Sequence, residues 1–157
     1  MKNHNTQGYT LPELLMVLVI VGILAASGMA GWLRWQQQQR LAQTAQQIHS
    51  FLHQLRAWSH WHNSEQVLWL KAGDRWCLGS GVMPDAACET GRRDQLIAPH
   101  PDVQVLSLTP GMGFYGKRNA ARAGHIELAN AAGSVRIIVS ARARIRRCNG
   151  EHQDNCQ

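Results

Sequence analysis

The sequence predicts an α+β fold: one long N-terminal α-helix packed on a small antiparallel β-sheet domain. Three observations predict it. Leu14 to Leu33 form an uncharged run of twenty residues. Leu41, Ala45, Ile48, Leu52, Leu55 and Ser59 then recur at spacings of three and four, the stripe of an amphipathic helix. From Gln66 the apolar period drops to two, in short runs separated by turn residues.

The helix comes first. At about 1.5 Å per residue, twenty residues cover the ~30 Å hydrocarbon core of a bilayer. The run therefore reads as a single membrane span. Lys2 precedes it, which places the N-terminus in the cytoplasm and the rest of the chain on the far side. Gln36 to Gln39 form a polar, helix-tolerant exit. Helix is expected from Leu11 to about Asn63, or about 80 Å. Gly22, Gly28 and Gly31 are its soft points. Trp58 flanks the stripe, and Trp58 and Trp61 are expected to anchor the helix to the domain. His49 and His53 stand four apart, but no third ligand has matching spacing. They read as solvated helix-face residues, and no metal site is expected.

The β part follows. Gln66–Lys71 and Arg75–Leu78 flank Ala72-Gly73-Asp74, a hairpin signature. Val103–Leu108 alternates. His125–Leu128 and Val135–Val139 flank Asn130–Gly133, a second hairpin. Gly79–Pro101 is rich in Gly, Pro and Asp and reads as loop. Val135 to Arg146 is counted as one strand, with odd positions toward the core and arginines outward.

Four cysteines follow the apolar run: Cys77, Cys88, Cys148 and Cys156. An even count in an exported region points to disulfides. No C-x-x-C spacing is present, which disfavours zinc. Three pairings are open. The pairs Cys77–Cys88 and Cys148–Cys156 are favoured, because each closes a short local loop. Net charge is +6. Lys117 to Arg147 holds eight basic residues against Glu127 alone, so this stretch carries +7 and the rest −1.

Glu13 is the anomaly, a carboxylate at the front of an apolar span where charge is costly and marks function. Gly8-Tyr9-Thr10-Leu11-Pro12-Glu13 followed by the apolar run resembles the class III signal of type IV pilins and type II secretion pseudopilins. The resemblance implies that prepilin peptidase cuts the leader 1–8 between Gly8 and Tyr9 and N-methylates Tyr9. An aromatic tyrosine stands where phenylalanine is commoner. The new amine on Tyr9 is largely protonated at neutral pH. In a filament it can meet the Glu13 carboxylate of a neighbouring subunit. Two buried charges cost far less paired than alone, and the pair would set axial register. Residues 9–33 become a transmembrane or filament-core helix, 34–64 its amphipathic continuation and 65–157 a periplasmic β-rich domain.

The rest of the chain is similar to H-type minor pseudopilins and the FimT and FimU minor pilins. The likeness rests on Leu52-x-x-Leu55-Arg56, on Gly73-Asp74-Arg75-Trp76-Cys77 and on the closing pattern from Phe114 to Arg146. Ala143 stands where that family has glycine before its last arginine pair. The resemblance implies a subunit that primes or caps a filament together with other minor pilins and the major pilin, in the inner membrane and then in a type IV pilus or a secretion pseudopilus. No cofactor and no catalysis are expected: the sequence has no phosphate-binding glycine loop, no H-E-x-x-H and no serine motif in a matching context. Lys117, Arg118, Arg136, Arg142, Arg144, Arg146 and Arg147, with Arg122, compose a basic stripe. Three readings stay open for it: a solvated face, contact with acidic neighbouring pilins or anionic lipid, and DNA. The last rests on Arg144-Ile145-Arg146, which matches the arginine pair of DNA-uptake members of the group.

Overall fold

A computed structural model describes residues 10–116, 120–149 and 156, with the backbone alone at 26–30. The chain divides into two compact units, Met1–Trp35 and Gln36–Gln157. A single helix, α1 (Leu11–His62), contributes to both.

In the first unit every large apolar residue from Leu11 to Leu24 is exposed, from 47% at Ile20 to 80% at Leu11. Glu13 sits in the first turn, where the peptide dipole favours a carboxylate. Among the described residues no helix is long and apolar enough to cross a membrane. The described side chains run from Leu11 to Ala25, shorter than the ~20 apolar residues a span requires. The twenty-residue run of the sequence continues through 26–30, outside them.

In the second unit α1 buries one stripe. Leu41, Ala45, Ile48, Phe51, Leu52, Leu55 and Ser59 are at most 5% exposed, and Thr44 joins them. The Thr44 hydroxyl donates to the Arg40 carbonyl one turn back, 2.8 Å away, so its polarity is satisfied inside the core. The helix ends where Asn63 turns left-handed at φ 49°, and the Ser64 N–H closes onto the Ser59 carbonyl at 3.3 Å. Ser59 then clamps the exit: its hydroxyl donates to the Ser64 carbonyl at 2.7 Å and accepts the Gly116 N–H at 2.8 Å.

Among the described residues nine strands follow in two antiparallel sheets: β1 (Glu65–Lys71), β2 (Cys77–Ser80), β3 (Gln95–Ile97), β4 (Gln104–Leu108), β5 (Gly113–Tyr115), β6 (Ala120–Arg122), β7 (Gly124–Asn130), β8 (Gly133–Val139) and β9 (Ile145–Asn149). One sheet has the order β3-β2-β1-β5-β6, the other β4-β7-β8-β9. The expected hairpins are present, with Lys71 opposite Cys77 and Asn130 opposite Gly133. Leu78, Phe114, Ile126, Leu128, Ile137 and Val139 meet the helix stripe in one core. At about 25 cal/mol per Å² of apolar surface, this burial is the main stabilising term. Trp76 is 1% exposed and donates its indole N–H to the Val103 carbonyl at 2.7 Å, the partner a buried indole needs. The Trp69 ring lies directly over Gly79, where any side chain would collide with it. Asn130 to the Gln37 carbonyl (2.8 Å) and Arg40 to Asp102 (3.3 Å) fasten α1 to the sheet side.

Four readings of the sequence are corrected. Gly79–Pro101 is not all loop, since it holds the end of β2 and the short strand β3. The stretch from Val135 to Arg146 is not one strand: β8 stops at Val139 and β9 returns antiparallel beside it, with Val139 opposite Ile145. Val135, Ile137, Val139, Ala143 and Ile145 are buried as counted, but Ala141 lies in the turn and is exposed. Trp58 and Trp61 do not anchor the helix: they are 46% and 80% exposed. They fall on a different side of α1 from the buried stripe to which Leu55 and Ser59 belong.

Candidate functional site

The cleavage residues Gly8 and Tyr9 lie outside the described residues. Glu13 is within them and exposed on the first turn of α1. Its backbone N–H and that of Leu14 bond to the Thr10 carbonyl at 3.1 and 3.3 Å. That closes the turn tightly behind Pro12, whose missing N–H costs nothing at the first turn of a helix. The side chain is thus carried on rigid helix rather than on a loop, and an exposed carboxylate on an apolar rod is positioned for a cationic partner.

The second feature is basic. The β8–β9 hairpin sorts the arginines by face. Arg142, Arg144 and Arg146 are exposed and line a shallow groove of about 500 Å³ with Ile138, Ser140 and Cys156. No ion pair engages these three arginines among the described residues. The turn that presents them is held by Ser140: its N–H bonds to the Arg144 carbonyl at 2.9 Å, and its hydroxyl accepts the Arg144 N–H at 3.2 Å. Ala143 takes φ 55°, the left-handed region that favours glycine.

The other stripe residues do not converge there. Arg136 is half-buried on β8 and paired to Glu127 across the β7–β8 ladder at 3.4 Å. Arg147 points to the opposite side of the sheet and donates to the Gln46 side chain on α1 at 3.2 Å. Its charge, after burial and the neighbouring His53, holds the His49 imidazole below its ordinary value of 6.5. Arg122 stands on β6 in the other sheet. Lys117 and Arg118 lie outside the described residues. The structure thus keeps Arg142, Arg144 and Arg146 together and places Arg122, Arg136 and Arg147 elsewhere.

Disulfides brace both ends of this architecture. Cys77 joins Cys88, and Cys148 joins Cys156. The second bond ties residue 156 back to β9 beside the arginine groove, as a bridge between Cys148 and Cys156. The first ties the long connection after β2 to the buried strand end. Sequence reasoning took Trp58 and Trp61 as anchors and missed Gln54 and Ala57, which share their exposed face. Its spacing of three, four and seven was present in the sequence, as a second helical stripe on a different side from the core one.

Residues 3–29 match the prokaryotic N-terminal methylation motif. The chain therefore carries a prepilin-type signal, and its long helix with antiparallel sheets is consistent with a pilin-like fold. No curated protein and no solved structure matches the chain.

Proposed function

We propose that this chain is a minor pilin or pseudopilin that helps to prime or cap a type IV pilus, as a structural subunit and not a catalyst. It resembles the H-type and FimT–FimU minor subunits, and within them prepilin peptidase-dependent protein A. Cleavage falls between Gly8 and Tyr9, and Tyr9 is N-methylated. The apolar helix holds the subunit in the inner membrane with its domain in the periplasm, then passes into the filament core beside other minor pilins and the major pilin. The single observation that carries this reading is the methylation motif over residues 3–29 with Glu13 inside it. Glu13 on an exposed apolar helix supports it physically, because its burial among neighbours is tolerable only with a cation such as the Tyr9 amine.

The test replaces Glu13 by Ala in the chromosome. Loss of surface pili, with the chain still cleaved and stable in the membrane, is the expected outcome. Normal pili with lost export of secreted proteins would move the chain to a type II secretion pseudopilus. Normal pili and normal export would sink both.

A second reading, DNA binding, is favoured by the groove of Arg142, Arg144 and Arg146. Phosphate recognition needs clustered cations and is steeply salt-dependent. Titration of the full chain in detergent with short duplex DNA, beside an Arg144→Gln, Arg146→Gln variant, tests it. Tight low-salt binding that the variant loses supports DNA handling. Equal binding by both proteins removes it.

A further inference from the structure

At the C-terminal end of α1 lies a cleft of about 690 Å³, in the ~300–1,000 Å³ range of small-ligand sites. Its wall is the exposed helix face Gln54, Ala57, Trp58 and Trp61; its far side is Arg93 and Asp94. All of these residues belong to the second compact unit. The two indoles are unusual in position. Tryptophan is the largest apolar side chain, and an ordinary solvated helix face does not carry two of them one turn apart. Trp58 is held in place by His62, whose ring stacks on it at 3.8 Å and whose Nδ1 bonds to the Trp58 carbonyl at 3.1 Å. Trp61 is 80% exposed. Ala57 lines the cleft with them.

The polar groups decide what fits. Asp94 is occupied: Arg92 grips it with two hydrogen bonds of 2.9 and 2.8 Å, which also holds its carboxyl below the usual range. It is not available to attract a cation, and Arg93 beside it repels one. A single arginine is too little for a polyanion. Gln66 is spent inward, on Ser64 and Ser80. That leaves the Gln54 amide and the Arg93 guanidinium, neither of which has an intramolecular hydrogen bond among the described residues. Flat aromatic faces beside uncommitted amide and guanidinium donors suit a neutral ligand with apolar ring faces and a rim of hydroxyls. Pyranose rings have that form: axial C–H bonds lie on the indole face while equatorial hydroxyls reach the donors.

We infer that the cleft formed by Trp58, Trp61, Gln54 and Arg93 binds neutral oligosaccharide, stacking pyranose rings on the two indoles. The site stands apart from the arginine groove and does not depend on which filament the chain enters.

The experiment titrates the full chain, in a detergent that is not a glycoside, with maltotriose, cellotriose and the trimer of N-acetylglucosamine, read by intrinsic tryptophan fluorescence and calorimetry. At least one trisaccharide is expected to bind saturably, with Kd about millimolar or tighter. Trp61→Ala is expected to weaken it about tenfold or more, and Gln54→Ala by about threefold. Because Trp61 is 80% exposed, its removal leaves the fold intact, which an unchanged circular dichroism spectrum and melting temperature verify. Trp61→Phe, which keeps a flat ring, restores part of the affinity. The inference is overturned if no trisaccharide binds, or if binding is the same in Trp61→Ala. Self-association of the chain that Trp61→Ala abolishes, without sugar binding, also overturns it and gives the cleft to subunit packing.

Discussion

The two parts of α1 are built from the same apolar residue types and treat them oppositely. From Leu11 to Leu24 every large side chain is exposed, while Leu41, Ile48, Leu52 and Leu55 are all within 5% of full burial. The difference lies in the pattern. The first part is apolar all round, so no single face of this chain could cover it, and it needs a surrounding medium of lipid or neighbouring helices. The second part is apolar on one stripe, and the sheets of the same chain cover that stripe. A continuous helix can therefore hold an intramolecular core at one end and an intermolecular one at the other.

Truncation is the strongest way to break this contrast. Leu52→Ala should cost the second unit about 2–5 kcal/mol, because truncating a fully buried leucine leaves a cavity in the core it shares with the sheets. Leu18→Ala should change that unit's thermal unfolding by less than ~0.5 kcal/mol and act only on membrane or filament behaviour. Equal effects of the two would mean that the parts are not independent.

The clamp that ends the buried part comes next. Ser59 is 1% exposed and serves both the Ser64 carbonyl and the Gly116 N–H. Ser59→Ala strands both groups and should cost about 1–3 kcal/mol in denaturant unfolding. A loss below ~0.5 kcal/mol would show that water replaces the hydroxyl.

The smallest effect is a pH dependence. His49 is held below its ordinary 6.5 by burial first, then by His53 and Arg147. The unfolded chain therefore takes up the proton more readily than the folded one. Stability is full above pH 6.5 and falls as pH drops from there through the lowered folded value. His49→Gln should flatten that part of the stability–pH curve. Asp94, lowered chiefly by its hydrogen bond to Arg92, acts only further down, where stability falls below its ordinary 3.8. A curve unchanged between pH 6.5 and 5 in His49→Gln would remove the histidine from the account.

Much of this was legible from pattern. The helix ends within one residue of Asn63, and the stripe from Leu41 to Ser59 is the one buried. Both hairpins close at their Gly-containing turns. The short strands β3, β5 and β6 were not legible, because three residues show no period. β4 bulges between Val105 and Ser107, which leaves Leu106 63% exposed despite its type. The arginine count erred for a related reason. The turn at 140–144 folds the stretch back on itself, and Arg147, an odd position like Ile145, shares that residue's side of the sheet and reaches Gln46.

The sequence by itself determined the signal, the helix and its two kinds of face, and the outline of the β region. These depend on neighbours along the chain, within a turn of helix or a strand's alternation. Only the tertiary structure decided which arginines share a groove, where the chain reverses, and that Trp58 and Trp61 face solvent. Those depend on which distant segments pack together, and a side chain's company across the fold leaves no mark in local spacing.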